Sequence, residues 1–287
     1  KRALIPAGLV LGSFNQHAPR PPVLCAQGGP EPGERLPEIG ITTPSFGHAR
    51  FIGRTIDSVL SQRYPSLRYH VQDGGSTDGT VGILEQTAAR LRAAGRDDGF
   101  TFASEPDSGQ TQAINRGLAR VGGEGTEIMA WVNSDDLYLP GALLAVGRYF
   151  RDHPSVDVVY GHRVVLDPSG LEVGRWVMPR FARAAAEWRC YVPQETMFWR
   201  RTIWDRVGGR LDESFQFAMD WELVARFFRA GARFHRLPMF LGGFTTHPEQ
   251  KSLAIRETVG EPEFARVRAM LVSSGAQRTR ARAESLV

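Results

Sequence analysis

The period of the apolar positions changes repeatedly between Glu38 and Tyr160. Ile39 to Thr43 is a short β-type run that closes on Pro44-Ser45-Phe46-Gly47. Ile52, Ile56, Val59 and Leu60 then share one helical face, and Pro65 ends it. Leu67, Tyr69 and Val71 alternate as a strand that ends at Gln72-Asp73-Gly74-Gly75. Ser76-Thr77-Asp78-Gly79 has the residues of a turn with helix caps, and Val81, Leu84, Ala88 and Leu91 form the next helical stripe. Phe100 to Ser104 predicts a strand, Ser108 to Val121 a helix and Glu127 to Val132 a buried strand. Gly141 to Phe150 predicts a helix introduced by Pro140, and Val156 to Tyr160 a further strand. Strands alternating with helices of this length predict a mostly parallel sheet with right-handed crossovers.

The second half is patterned differently. Arg163 to Leu166 and Leu171 to Val177 flank the turn sequence Asp167-Pro168-Ser169-Gly170 and predict a hairpin. Glu195 to Arg200 reads as a strand, Phe217 to Arg229 as a helix and Arg233 to Leu241 as a strand. Residues 1–37 hold Pro19, Pro21, Pro22, Pro30, Pro32 and Pro37 without a sustained apolar period, which predicts an irregular or disordered leader. The expected organisation is that leader, a domain over 38–250 and a helical or flexible tail over 251–287. Within the domain, the alternating half spans 38–137, with its strand ends as the expected ligand rim, and the mixed half spans 138–250 and suits the shaping of an acceptor site.

Composition narrows the class. A chain of 287 residues with 42% hydrophobic content can bury one large core. The apolar stretch Ala3 to Phe14 is broken by Pro6, Gly8 and Gly12 and falls short of the roughly 18 residues that span a bilayer. Two cysteines, Cys25 and Cys190, exclude a disulfide-stapled scaffold and a cysteine-rich zinc site. They fit free thiols in a reducing cytoplasm. The net charge of +4 suits phosphate handling or proximity to anionic lipid and demands neither. Arg278, Arg280 and Arg282 read as a solvated terminus. The expected setting is cytoplasmic, soluble or peripheral at the inner membrane face, with no nucleic-acid partner.

In open α/β sheets ligands bind beyond the carboxyl ends of the strands. That rule selects Thr43-Pro44-Ser45, Asp73-Gly74-Gly75, Ser104-Glu105 and Asn133-Ser134-Asp135-Asp136. The adjacent carboxylates of Asp135 and Asp136 repel unless a hard cation or hydrogen-bond donors compensate, although a helix cap before Pro140 is an equal alternative. Asp73 can accept a hydrogen bond from a nucleobase or ribose, imitate an adenosylmethionine site, or only shape the turn. Gln112, Asn115 and Arg116 share a face of a helix whose start, at Ser108 and Gly109, can meet phosphate or sugar. Asp220 is either a base strengthened by apolar neighbours or an ordinary first-turn acid. His247 in Thr245-Thr246-His247-Pro248 is a ligand or a solvated loop residue. There is neither a dinucleotide fingerprint nor a P-loop.

Taken together, these segments resemble the family 2 glycosyltransferases of GT-A fold over roughly residues 38–250. Ile41 to Phe46 and Phe51 to Gln62 are similar to the family's opening strand and helix. Asp73-Gly74-Gly75-Ser76-Thr77-Asp78-Gly79-Thr80 resembles its DGSTDGT segment, Asn133 to Asp136 its D-x-D region, and Met219-Asp220-Trp221-Glu222-Leu223 its later ED motif. The resemblance implies an α/β GT-A fold with a mostly parallel central sheet, flanking helices and a mixed acceptor-side half. It implies an inverting enzyme that moves a sugar from a nucleotide-sugar donor, by default UDP-linked, to a glycan, lipid-linked or other hydroxyl acceptor. Thr43, Pro44, Ser45, Asp73 and Gly75 would hold the nucleoside, and Asp107, Gly109, Gln110, Asn115, Asn133 and Ser134 the donor. Asp135, Asp136 and His247 would bind a divalent cation, Mn²⁺ or Mg²⁺. Gln194, Glu195 and Trp221 would lie near the acceptor, and Asp220 would be the general base. Two positions depart from the pattern: Asn133 replaces the first Asp of D-x-D, and Gly47 stands where many members carry Asn. An adenosylmethionine-dependent methyltransferase and a non-catalytic sugar-nucleotide binder are the competing readings.

Overall fold

The computed structural model describes residues 12–22, 29–95, 99–187 and 189–271. The chain opens with strand β1 (Ser13–Arg20), followed by β2 (Glu38–Ser45), which is buried at every position after Glu38. Burial on both faces is what a central parallel strand requires. Helix α1 (Ile52–Leu60) buries Ile52, Ile56, Val59 and Leu60, the stripe that the sequence predicts. Then come β3 (Leu67–Asp73), α2 (Thr80–Ala93), β4 (Phe100–Ser104), α3 (Gln110–Val121), β5 (Thr126–Trp131), the two-residue β6 (Leu137–Tyr138) and α4 (Ala142–Asp152). Strands β5, β2, β3 and β4 are parallel neighbours. Their register sets Ser45 beside Asp73 and Asp73 beside Ser104, so three polar strand ends share one rim. Helix α3 lies close over β2 because residue 117 is glycine; a Cβ there would overlap Thr42 Oγ1.

The other half mixes directions. Strand β7 (Val158–Leu166) merges the two separate runs expected at Val156–Tyr160 and Arg163–Leu166, and forms a hairpin with β8 (Glu172–Val177). A short helix α5 (Arg183–Ala186) follows. The strand expected over Glu195–Arg200 shrinks to β9 (Phe198–Arg200), because Gln194–Thr196 is one 3₁₀ turn after Pro193. Next come α6 (Arg201–Arg206), α7 (Met219–Arg229), β10 (Phe234–Thr245) and α8 (Lys251–Ala254). The sheet order is β1-β8-β7-β9-β5-β2-β3-β4, with β10 parallel to β7 and β6 antiparallel to β10. Strand β9 joins the halves by running antiparallel to both β5 and β7.

The N-terminal end of the described chain corrects the expectation. Ser13–Arg20, inside the predicted irregular leader, pairs antiparallel with β8. Its residues are almost all exposed, so no apolar alternation marks it. Electrostatics holds it: Glu172, with no exposed surface, accepts hydrogen bonds from Arg20 at 3.0 Å and from Arg175 at 2.7 and 2.9 Å. Glu34 is tied to Arg148 and Arg151 on α4. At the other end, residues 261–271 form a helix whose Val267 and Leu271 enter the core. Cys25 and the arginines at 278, 280 and 282 lie outside the described residues, and Cys190 is a free thiol. Among the described residues no helix is long and apolar enough to cross a membrane.

Burial by itself would raise the Glu172 carboxyl, but hydrogen bonds from Arg175, Arg20 and His17 outweigh it and hold the group down at about 2. A carboxylate lowered on folding adds stability above its unfolded value near 4.5, and that stability disappears as pH falls toward 2. Glu172→Gln is therefore expected to cost about 2–3 kcal/mol at pH 7 and much less near pH 2, as read by urea unfolding across that range. An equal loss at both pH values would refute the ion-pair account.

Candidate active site

A cleft of ≈ 910 Å³ opens at the rim where the parallel strands end. Pro44, Ser45, Asp107, Gly109, Gln110, Asn133, Ser134, Asp135 and Asp136 line it from the first half of the chain. Gln194, Glu195 and Asp220 line it from the mixed half. The topology thus brings most of the expected site residues together. Ser45 Oγ and Gln194 Oε1, on two of these lining residues, are buried without a hydrogen-bond partner.

Five expected residues are placed otherwise. Thr43 is fully buried, and its hydroxyl pairs with the Tyr69 hydroxyl at 3.0 Å. Asn115 joins α3 to the segment before α7 through Leu211 N–H, Leu211 C=O and Glu213. Trp221 is a core side chain that donates to Ala186 C=O at 2.9 Å. Asp73 has no exposed surface and accepts from Gly75 N–H, Ser76 N–H, Ser76 Oγ and Ser104 Oγ at 2.6–3.0 Å. Three of those bonds fall on Oδ2 and one on Oδ1, so the carboxylate is engaged through both oxygens. Asp78 does the same next door, accepting from Ala49 N–H, Thr80 N–H and Thr80 Oγ1. Gly75 and Gly79 adopt φ of +87° and +100°, conformations that glycine tolerates. The Asp73–Thr80 segment therefore builds the cleft wall from behind. Gly74 is its lining residue, and a Cβ there would press on Asp107 Oδ2 at 2.8 Å. Gly47, the departure after Phe46, has φ +67°, so a backbone preference accounts for it.

The donor set for a cation is a pair. His247, only 4% exposed, places Nε2 3.0 Å from Asp135 Oδ2, and its Nδ1 is buried without a partner. Neighbouring ligands on an octahedral ion with bonds of about 2.1 Å lie roughly 3 Å apart, so this pair fits Mg²⁺ or Mn²⁺. Among the described residues no group of three or more His, Cys, Asp or Glu side chains suits a metal. The remaining positions would fall to water and substrate phosphate, as is usual for these ions. Asp136 does not extend the pair. Burial, with Asp135 and Glu195 adding to it, pushes its carboxyl up, and Oδ1 accepts Thr245 N–H at 3.0 Å. Asp136 thereby ties down the turn that carries His247. Asn133 Oδ1 is spent on Gln110 Nε2 at 2.9 Å.

The wall from the mixed half rests on a buried ion pair. Arg163 donates to both oxygens of Glu195, at 2.8 and 2.6 Å, and Glu195 is 1% exposed. Gln194 Nε2 donates to Trp131 C=O at 2.7 Å, which leaves its oxygen for the cleft. Asp220 sits in the first turn of α7. Burial raises its carboxyl, against the opposing pull of the Trp221 N–H and of Arg163. The Cys190 thiol approaches Asp220 Oδ2 at 3.8 Å. Glu263, from the helix over 261–271, accepts the N–H groups of Gln216, Phe217 and Ala218 at 2.7–2.9 Å and so clamps the chain entering α7. Phe264 lines the cleft beside it. Lys251 also lines the cleft, and its Nζ donates to Gln110 Oε1 at 3.0 Å. Sequence reasoning missed Glu263 and Lys251. The partners of Glu263 lie 45–47 residues earlier, so no local spacing marks it. Lys251 had one signal: apart from Lys1, every other basic residue of the chain is arginine.

An uncharacterized glycosyltransferase of Mycobacterium tuberculosis is 28% identical over 196 residues, 66% of this chain and 68% of that protein. The chondroitin synthase of Pasteurella multocida is 23% identical over 231 residues, 80% of this chain but 23% of that protein. Among solved structures, Staphylococcus aureus TarS in complex with UDP has a TM-score of 0.59 at 18% identity, over 82% of this chain and 65% of that one. The chain thus spans less than two thirds of that structure. The Pyrobaculum calidifontis mannosyltransferase in complex with GDP-Man and Mn²⁺ has a TM-score of 0.56 at 20% identity, over 88% and 66% of the two chains. Both likenesses concern the fold. The family pattern described as Glycosyl transferase family 2 matches residues 41–210, more than half of the sequence. With the sheet, the rim and the cleft arranged as they are, this chain belongs to glycosyl transferase family 2 and is a glycosyltransferase.

Proposed function

We propose that this enzyme moves a sugar from a nucleoside diphosphate donor, with uridine as the base, to a hydroxyl of a glycan or lipid-linked acceptor, inverting the anomeric carbon. The supporting observation is that Asp220, a carboxylate raised by burial, shares one cleft with Asp135, the partner of His247. UDP in the TarS complex supports the donor class. GDP-Man and Mn²⁺ in the mannosyltransferase complex make guanosine the other base to test. Phe14, Trp176 and Met178 also line the cleft, and their apolar faces suit a sugar ring or the start of a lipid chain.

Each residue then has a task. Pro44, Ser45 and Gly74 border the nucleoside, with the free Ser45 hydroxyl as a hydrogen-bonding group. Asp135 and His247 would hold a divalent cation, which supplies charge neutralisation for the departing diphosphate. Gln194 Oε1 accepts a hydrogen bond from the acceptor, and Glu195, already engaged by Arg163, keeps Gln194 in place. Asp220 removes the acceptor hydroxyl proton. The hydroxyl oxygen bonds to the anomeric carbon as the bond from that carbon to the diphosphate oxygen breaks, and the electron pair leaves with the diphosphate. Attack from the far face inverts the centre without a covalent intermediate.

Asp220→Asn is expected to lower kcat by at least about 100-fold, the scale of a lost general base, while UDP affinity measured by calorimetry stays within about twofold. Full turnover in that variant would end the assignment. The pH profile of kcat/KM gives its sign: the carboxylate is the active form, so the rate climbs with pH through a limb above the ordinary value of 3.8, and Asp220→Asn erases the limb. Asp135→Ala is expected to remove the gain in UDP affinity that Mn²⁺ brings; identical titrations with Mn²⁺ and with chelator in both proteins would refute the ligand pair. Proton NMR of the first product decides the stereochemistry, and a retained anomer would overturn inversion.

A further inference from the structure

Lysine is scarce in this chain. Lys1 and Lys251 are the only two, whereas the other basic residues are arginine. Lys251 begins α8, four residues after His247, and lines the cleft. The intervening turn is closed by His247 N–H to Gln250 Oε1 at 2.9 Å and by Gln250 N–H to His247 C=O at 3.2 Å. One short turn thus carries both the candidate cation ligand and an ammonium group.

The hydrogen-bond directions around Lys251 are fixed by chemistry. An ammonium group only donates, so the Gln110 oxygen must face it, at 3.0 Å. The Gln110 amide nitrogen then faces Asn133 and donates to its oxygen at 2.9 Å. The Asn133 nitrogen in turn faces Asp136 Oδ2 at 3.4 Å. Lys251, Gln110, Asn133 and Asp136 form a relay with a single polarity. A carboxylate at 133 could accept from Gln110 but could not donate to Asp136 Oδ2 as the amide nitrogen does. Position 133 thus carries no charge, and Lys251 brings a positive group to the Gln110 end of the relay.

We propose that Lys251 is a ligand of the donor diphosphate, aligned through Gln110 and Asn133, and that its ammonium group takes over part of the neutralisation otherwise left to the cation. The inference rests on the nucleotide-sugar reading of the cleft. A compact ammonium with rotatable donors suits a diphosphate that must later depart, whereas a guanidinium would span two oxygens in one plane. The expected ligand chemistry is a nucleoside diphosphate, and the phosphates rather than the nucleoside carry the interaction.

The test is calorimetric titration of the full chain with UDP, GDP, uridine and guanosine, each with Mg²⁺ and with chelator. Wild type is expected to keep measurable affinity for one diphosphate in chelator. Lys251→Gln is expected to lose at least tenfold of that affinity in both conditions, with nucleoside affinity unchanged, and Lys251→Arg to recover part of it. A merely structural role for Lys251 would weaken nucleoside and diphosphate alike and lower the unfolding temperature of Lys251→Gln. Equal diphosphate affinity in wild type and Lys251→Gln would overturn the role of Lys251 while leaving the transferase reading intact. No binding of either diphosphate by wild type in any condition would overturn both. As a second readout, acylation by an amine-selective reagent, mapped by mass spectrometry, is expected at Lys1 and Lys251, with UDP or GDP protecting only Lys251; unchanged labelling at Lys251 under saturating diphosphate would also refute the contact.

Discussion

The cleft depends on how its buried carboxylates are compensated. Asp136, Glu195 and Asp220 line one cavity, and a set of unpaired charges in that setting would not survive folding. Arg163 answers Glu195 with two short hydrogen bonds and exerts its field on Asp136 and Asp220 as well. It comes from β7, the strand bordered by both β9 and β10. The pair therefore joins the mixed half of the sheet to the turn that carries Gln194. Breaking such a pair by removing one partner leaves a buried charge, which typically costs about 3–5 kcal/mol. Asp220 profits from the same arrangement: burial makes it a stronger base, and Arg163 keeps the carboxylate form within reach.

The loop carboxylates follow a different logic. Asp73 and Asp78 spend their oxygens on the backbone and hydroxyl groups of their own turn. Their contribution is to hold Gly74 against Asp107 and the rest of the wall. Asp136 plays the same part for the turn after β10, through Thr245 N–H. A carboxylate at a strand end can thus be chemistry or masonry, and sequence alone does not separate the two. Counting donors does. Asp135 has one close partner, His247, and a part-exposed position, whereas Asp73 has four partners and none of its surface is exposed.

Much of the fold was legible because its central elements are governed by burial. The stripe of α1, the all-buried β2 and the polar ends of β2, β3 and β4 follow directly from side-chain period. What was not legible is held by partners far away in sequence. Strand β1 has no apolar face; its anchor is Glu172, more than 150 residues on. The break of the strand expected at Glu195 comes from Gln194 turning its amide to Trp131, 63 residues earlier. Among the candidate site residues, Pro44, Ser45, Asp107, Gly109 and Gln110 follow strand ends or open a helix, which is why a strand-end rule finds them. Trp221 and Asn115 lie next to motif residues but point into packing contacts, so proximity in sequence was misleading there.

The division of labour along the chain has a consequence for the family match. The matched stretch, 41–210, contains the strand ends, Asp135 and the Arg163–Glu195 pair. Asp220, His247, Lys251 and Glu263 all lie beyond it. Three of these groups are held by contacts back onto the matched stretch or onto the entry to α7: Thr245 N–H on Asp136 fixes the His247 turn, Lys251 meets Gln110, and Glu263 caps the N–H groups before Asp220. A carboxylate clamp of this kind sets the position of Asp220 through the backbone before it, while the Asp220 side chain itself accepts Trp221 N–H at 2.8 Å. Residues after 210 therefore set where Asp220, His247 and Lys251 sit, whereas the parallel strands β2, β3, β4 and β5 and their polar ends come from residues before it.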